Sequence, residues 1–321
     1  MNVALVGPGA IGIRHVEAIR NIDGLDVSCV VGGTEAEAEA FAREWDIPHW
    51  TADLDACLKT PELAAAIIAT PTPMHAEQSI RCMRAGKHVL IEIPFAASLA
   101  DAERVVRAQE EFGVIAMAAQ TNRFRPGHRW LRERFESGTL HLLQLSVSTH
   151  FLRRSNVSVT GGDRAWTDHL LWHHACHAVD MFAFQTNSPV RRIAAIAGPI
   201  DERLGIALDL AIMLQASDGA LCTVSLSFNN EGPQGSTFRY ICDGGTFITR
   251  LDHLSDGFGN AIAERSIRVV PGVEAQDRDF YVACSTGGRP ISDLRSVMPA
   301  MRTLDQIEHL ACESQRTISL Q

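Results

Sequence analysis

Short apolar runs and amphipathic stretches alternate through the first 120 residues. "NVALVG" (2–7), "DVSCVV" (26–31), "AAAIIAT" (64–70), "HVLIE" (88–92) and "VIAMAA" (114–119) are almost unbroken in apolar side chains. Runs of that kind predict strands covered on both faces. Between them, 11–20, 34–44, 74–85 and 98–112 carry a helical period. The alternation predicts a doubly wound, parallel α/β sheet. Short links such as "AGKH" (85–88) suit that architecture, with Gly86 just past a helix end.

Beyond residue 140 the period changes to two. In "ALCTVSLSF" (220–228), Cys222, Val224, Leu226 and Phe228 point one way and Thr223, Ser225 and Ser227 the other. Asp218–Gly219 and Asp243–Gly244 are hairpin signals that set off neighbouring strand-like runs. This half predicts an α+β domain built on a large, open, mainly antiparallel sheet. With no linker composition in between, the boundary falls at a direct crossing: a first domain over 1–122 and a second over 123–321. The last periodic stretch, roughly 293–312, carries no sign of which domain it joins.

Composition narrows the class. The 321 residues are 46% hydrophobic and 21% charged, with a net charge of −9. That acidity argues against a nucleic-acid partner, which needs phosphate neutralisation, and leaves room for a local basic pocket. No apolar run approaches membrane-spanning length, so no membrane partner is expected. The eight cysteines form no C-x-x-C pair. Together with the lack of a basic leader, they predict reduced thiols in a cytoplasmic protein.

"VALVGPGAIGIRH" sets Gly7, Gly9 and Gly12 in G-x-G-x-x-G spacing after a strand and at the start of a helix. The first glycine permits the tight turn, the second close approach of a pyrophosphate, and the third tight helix–strand packing. Ala10 and Ile11 complete the helix start, where phosphate charge is favoured. This is a Rossmann dinucleotide site. The acidic residue that usually holds the ribose diol at the end of the second strand is replaced by Gly32, Gly33 and Thr34. Its loss removes repulsion against a 2′-phosphate, and Arg14 and Thr34 are candidates to contact one. NADP is therefore expected, with NAD also possible.

The motifs that follow carry a resemblance. "IIATPTPMHAEQSIRCMRAGKHVLIEIPFA" (67–96), "AQTNRFRPGH" (119–128) and the segment ending "HACHAVD" (174–180), with the glycine loop, resemble the Gfo/Idh/MocA oxidoreductases over most of the chain. The resemblance implies hydride abstraction from a C–OH carbon of a small anionic substrate. The substrate it points to is a dicarboxylate whose cyclic hemiacetal is oxidised to a lactone. It places Thr70, Pro71, His75, Glu92 and Pro94 beside the nicotinamide ribose and brings Trp166 and Thr167 near the cofactor.

Two departures from the family pattern matter. Most members have a lysine between the glutamate and proline, where this chain has Ile93, which can move no proton. The usual D-x-G-x-H-x-x-D reads His173 to Asp180, so histidine replaces the first aspartate while His177 and Asp180 survive.

"WTDHLLWHHACHAVD" (166–180) holds His169, His173, His174 and His177. On a regular helix, His169, His173, His177 and Asp180 share one face. No H-E-x-x-H glutamate is present, so a metal is not expected. An imidazole is suited to take a hydroxyl proton near neutral pH. His173, His177 and Asp180 are the expected catalytic set, with either imidazole able to take the proton and Asp180 placed either to orient His177 or to cap or pair elsewhere. Arg123, Arg125, Arg154, Asp168 and His174 are the candidates to hold substrate, since guanidinium forks match carboxylates. An exposed sheet face predicts a homodimer. A sugar or cyclitol dehydrogenase of the same fold, or a non-catalytic NADP-binding regulator, are the competing expectations.

Overall fold

The computed structural model describes residues 1–153, 155–156, 169–262 and 270–318, with side chains of the last helix described to Glu313. The chain forms two compact units, 1–121 with 273–298, and 122–272 with 299–321. The expectation that everything beyond residue 123 belongs to the second domain is thus corrected for 273–298.

In the first unit, strands β1 (Asn2–Val6), β2 (Asp26–Val31), β3 (His49–Thr51), β4 (Leu63–Ile68), β5 (His88–Ile91) and β6 (Ala116–Ala118) form a sheet in the order β3-β2-β1-β4-β5-β6. Every adjacent pair is parallel. Helices α1 (Ala10–Ile19), α2 (Glu35–Glu44), α3 (Leu54–Leu58), α4 (His75–Arg84) and α5 (Leu99–Phe112) make the connections. Val3 to Val6 and Ala65 to Ile68 are at most 1% exposed, as the unbroken apolar runs require. The strand order reverses between β1 and β4, which is where such sheets bind ligands.

Local chemistry sets the helix ends. Ser98 caps α5 by accepting from Asp101 N–H, and Gly113 closes it at φ +62. After α4, Gly86 takes φ +72. Its N–H reaches Met83 O while Lys87 N–H reaches Cys82 O, a Schellman ending.

In the second unit, α6 (Pro126–Glu136) precedes β7 (Leu142–His150), and α7 (Cys176–Thr186) precedes β8 (Val190–Ala197). A small hairpin of β9 (Ile200–Asp201) and β10 (Ile206–Ala207) is followed by β11 (Asp209–Ala216) and β12 (Leu221–Ser227). Then come β13 (Gly235–Cys242), β14 (Gly245–Arg250) and β15 (His253–Asp256). The seven-stranded sheet runs β15-β14-β13-β7-β12-β11-β8. It is antiparallel except between β12 and β7. Both hairpin signals lie at real turns, with Gly219 at φ +96 and Gly245 at φ +141. Leu210, Ile212, Leu214, Val224 and Leu226 are buried on one face, whereas Met213 and Ile196 on the other are 62% and 65% exposed.

The chain then returns. Helix α8 (Gly272–Thr286) packs in the first unit, where Thr121 donates to Gln276 Oε1 at 2.9 Å. Helix α9 (Leu294–Ile318) starts in the first unit and continues, from Pro299 on, in the second.

Candidate active site

The glycine loop is built as its spacing predicts. Gly7 has φ +107, and a Cβ there would lie 2.6 Å from the Ala69 carbonyl, so β1 and the end of β4 meet through a bare backbone. At Gly12 a Cβ would come 2.4 Å from Gly7 O. Gly9 is the N-cap of α1, and a Cβ on it would meet nothing within 4 Å. The first and third glycines are therefore required by the fold, while the second leaves space above a helix N-terminus whose amides are open to a phosphate. Those features fit a dinucleotide. Ala10, Ile11 and Arg14 are exposed along the same helix start.

At the end of β2, Thr34 caps α2 by accepting from Glu37 N–H at 3.1 Å. Glu37 in turn accepts from Gly33 N–H at 2.8 Å. A carboxylate thus stands at the β2 terminus after all, supplied from the first turn of the helix. In the sequence, only Glu35, the nearer acid in that turn, was weighed, and Glu37 was missed. The T-x-x-E spacing of a capping box was the signal available.

Around the ends of β4 and β5, Thr70 donates to Gln78 Oε1 at 2.5 Å. The buried His75 ring spans two loops, with Nε2 2.7 Å from Thr70 O and Nδ1 2.8 Å from Pro94 O. His75 therefore ties the loops together, and burial lowers its pKa. Pro71 is half-buried and Pro94 buried. Glu92 accepts from Ile93 N–H at 3.1 Å through Oε2 and from His15 Nε2 at 3.0 Å through Oε1. His15, with its second partner Asp277 at 2.8 Å, was not expected to matter. Its signal was a polar ring on the apolar stripe of α1, beside the buried Gly12, Val16 and Ile19.

In the second unit the histidine segment is not one regular helix. His169 is an N-cap in extended conformation, Leu170–Ala175 form a π-helix, and α7 starts only at Cys176. The expected single stripe from His169 to Asp180 is corrected accordingly: the wide turn interrupts it. Such π segments are rare and recur at functional sites. His173 Nδ1 accepts the His169 N–H at 2.8 Å. The same nitrogen lies 3.3 Å from His169 O. His177 is half-buried one turn further on. His174 packs against Phe151 and Phe228 at centroid distances of 5.3 and 5.0 Å.

Two other expectations change. Arg123 is 1% exposed and grips Asp180, also 1% exposed, by Nε to Oδ2 at 2.8 Å and Nη2 to Oδ1 at 2.6 Å. Arg123 is therefore engaged in the core rather than offered to a substrate carboxylate, and Asp180 is the partner of Arg123 rather than the orienter of His177. Arg125 is only partly withdrawn, bonded to Asn122 at 2.9 Å and Asp252 at 3.0 Å. Arg154, Trp166, Thr167 and Asp168 lie outside the described residues.

Residues 1–120 match the profile described as "Oxidoreductase family, NAD-binding Rossmann fold", and 126–267 match "Bacterial oxidoreductases, C-terminal". A 4-carboxy-2-hydroxymuconate-6-semialdehyde dehydrogenase of Sphingobium sp. (strain NBRC 103272 / SYK-6) is 43% identical over 309 residues, spanning 96% of this chain and 98% of that one. The chain belongs to the Gfo/Idh/MocA oxidoreductases. As a Gfo/Idh/MocA member with such a relative, it is an NAD(P)-dependent dehydrogenase. The scyllo-inositol 2-dehydrogenase (NAD(+)) of Bacillus subtilis is 30% identical over 43% of this chain and 40% of its own. Among solved structures of this fold, levoglucosan dehydrogenase in complex with NADH and levoglucosan superposes with a TM-score of 0.85 at 18% identity, covering 98% of this chain and 97% of that one. Among the described residues, no helix is long and apolar enough to cross a membrane.

Proposed function

We propose that this chain oxidises the cyclic hemiacetal of 4-carboxy-2-hydroxymuconate-6-semialdehyde to 2-pyrone-4,6-dicarboxylate, with NADP as the preferred hydride acceptor. The observation that carries this reading is the 43% identity, over 96% of the chain, to a dehydrogenase of that name. The bound nicotinamide supplies the acceptor for the hydride. The rest falls to the protein. The Gly7–Gly12 loop and the start of α1 hold the pyrophosphate, and Thr70, Pro71, Glu92 and Pro94 hold the nicotinamide end.

His177 takes the hydroxyl proton. Supporting this choice, His173 Nδ1 is already engaged with the His169 backbone, and the proposed role of its ring is to donate to the substrate oxygen. Ile93, where most relatives have lysine, leaves the proton to imidazole. That substitution also counts against a sugar or cyclitol as substrate. Arg125, half-buried at the start of α6, and Arg154 are the proposed carboxylate ligands.

NADP is favoured by Gly33 and Thr34 at the end of β2 and by the exposed Arg14. Glu37 opposes it, and its carboxylate is held by Gly33 N–H.

The open face of the second sheet is proposed to mediate a homodimer. Its rows mix small side chains with exposed apolar ones, as in Ala211 opposite Ile196 and Ser225, and Met213 opposite Ala194 and Thr223. Such a face is flat enough to meet a second copy of itself. Sedimentation at working concentration is expected to give twice the chain mass, and a monomer would reject the dimer.

The deciding experiment offers the protocatechuate 4,5-cleavage product with NADP and follows formation of reduced nicotinamide. Turnover with release of the pyrone is expected. No reduction with either NADP or NAD would reject the assignment.

A further inference from the structure

His15 has no exposed surface, yet it faces two carboxylates. Its Nδ1 lies 2.8 Å from Asp277 Oδ2 on α8 and its Nε2 lies 3.0 Å from Glu92 Oε1 at the end of β5. A neutral imidazole has one N–H and one lone pair, so it can satisfy only one of two acceptors. Two carboxylates on the two ring nitrogens therefore call for an imidazolium that donates to both. The trio then sums to a single negative charge. Burial alone would lower the His15 pKa, but the charges and hydrogen bonds of Asp277 and Glu92 raise it to about 10. The three residues come from three separate elements: the helix of the glycine loop, the end of β5 and the returning helix.

The unequal exposure of the two acids gives the arrangement a direction. Asp277 is 1% exposed and is further held by Gln276 Nε2 at 3.2 Å, with Thr121 donating to Gln276 in turn. Glu92 is 16% exposed, and its other oxygen receives Ile93 N–H. The inner acid anchors the ring. The outer acid is the one presented at the carboxyl edge of the sheet.

We propose that His15 is a positioning residue: its imidazolium, clamped between Asp277 and Glu92, holds the Glu92 carboxylate fixed as a hydrogen-bond acceptor for the nicotinamide ribose. The proposal rests on the reading that Glu92 holds the nicotinamide end of the cofactor. Without that ring, Glu92 Oε1 would lose the bond from His15 Nε2, and only the Ile93 N–H on Oε2 would still hold the carboxylate. A carboxylate free to turn is a poorer acceptor in place, so affinity for the nicotinamide half would fall while the rest of the cofactor kept its contacts. His75 on α4 also faces Glu92; burial lowers its pKa, and it is the same in wild type and variant.

The test is equilibrium binding of NADP and of 2′-phospho-ADP-ribose, which lacks the nicotinamide nucleoside, to the full chain. For His15→Gln, NADP is expected to bind about tenfold more weakly than to the wild type, while the fragment is unaffected. Asp277→Asn, which removes the inner anchor and leaves Glu92 its partner, is expected to give a smaller loss of the same kind. A merely structural defect would weaken both ligands together. An unchanged ratio of the two affinities in His15→Gln overturns the proposal. Should that variant fail to fold, long-range 1H–15N spectra of the wild type decide. One imidazole is expected to keep both nitrogens protonated at pH 8.5, and none in that state overturns the proposal. If the wild type binds neither ligand, it is the cofactor reading that fails.

Discussion

Arg123 and Asp180 meet through two parallel hydrogen bonds of 2.8 and 2.6 Å, with 2% and 1% of their side chains exposed. The Arg123 guanidinium also lies 4.7 Å from the Phe184 ring centroid, one turn beyond Asp180 on α7. The pair joins the 3-10 turn that opens the second unit to the helix that follows the histidines. Removing one member of a buried ion pair leaves a desolvated charge, at a cost of about 3–5 kcal/mol. Asp180→Asn is therefore expected to lower stability by that order, read from the urea midpoint. The double replacement Arg123→Met with Asp180→Leu is expected to recover most of it. An unchanged midpoint in Asp180→Asn would contradict the structural role.

On the proposed assignment, His177 takes the proton and His173 donates to the substrate oxygen. His177→Ala is expected to reduce kcat/KM by roughly 10²–10⁴-fold, the range for loss of a general base, with cofactor affinity unchanged. His173→Ala removes a donor rather than the base, so its loss is expected to be about tenfold smaller. Steady-state kinetics on both variants checks the order, and equal losses would remove the distinction.

The three glycines of the phosphate loop predict opposite outcomes. Gly12→Ala forces a methyl within 2.4 Å of Gly7 O, so the fold must shift and the melting temperature should fall. Gly9→Ala meets nothing within 4 Å, so it should fold like the parent and lose cofactor affinity at least tenfold. Thermal melts paired with cofactor titration separate the two. A Gly9→Ala protein that binds normally would mean the pyrophosphate lies elsewhere.

How far the sequence could be read depends on the range over which each feature is determined. Five of the six parallel strands and the glycine loop were legible, because apolar runs and turn glycines act within a few residues; the three-residue β3 is too short to leave such a run. The alternation along β12 was equally plain from period two. The π-helix at 170–175 was not, since His169, His173 and His177 have a spacing that a regular helix would also produce. Nor was the fate of Arg123: a guanidinium in sequence gives no sign of whether a carboxylate 57 positions on will claim it. Asp277 lies 262 residues from His15 and meets it only because α8 returns to the first unit.

His128 carries a pH dependence of known sign. It is fully buried, with Nδ1 2.7 Å from Tyr240 Oη, and burial, helped by the charge of Arg125, lowers its pKa to about 3. The unfolded chain binds this proton below about pH 6.5 and the folded chain does not, so stability falls as pH drops from there toward 3. The expected contribution is about 1.4 kcal/mol per pH unit inside that window. His128→Gln should lack this component, visible as a shallower fall of the urea midpoint between pH 6.5 and 4.5. Equal slopes would refute it.

Glu37 places a carboxylate at the end of β2, held by Gly33 N–H. Replacing it with glutamine keeps a side-chain oxygen for Gly33 N–H and removes the charge. NADP affinity is expected to rise roughly three- to tenfold relative to NAD, a modest factor because the site is exposed and screened. Paired titrations of the two cofactors measure it, and an unchanged ratio would exclude Glu37 from the discrimination.

The return of residues 273–298 to the first unit has a consequence for synthesis. At about 5–20 residues per second, roughly 8–30 s separate translation of residue 121 from that of residue 273. During that interval the nascent nucleotide-binding unit lacks α8, so His15 has no Asp277 to offset its burial. The unit cannot reach its finished state as soon as residue 121 is made, as an uninterrupted N-terminal domain would: the part made first waits for a segment made after most of the second unit.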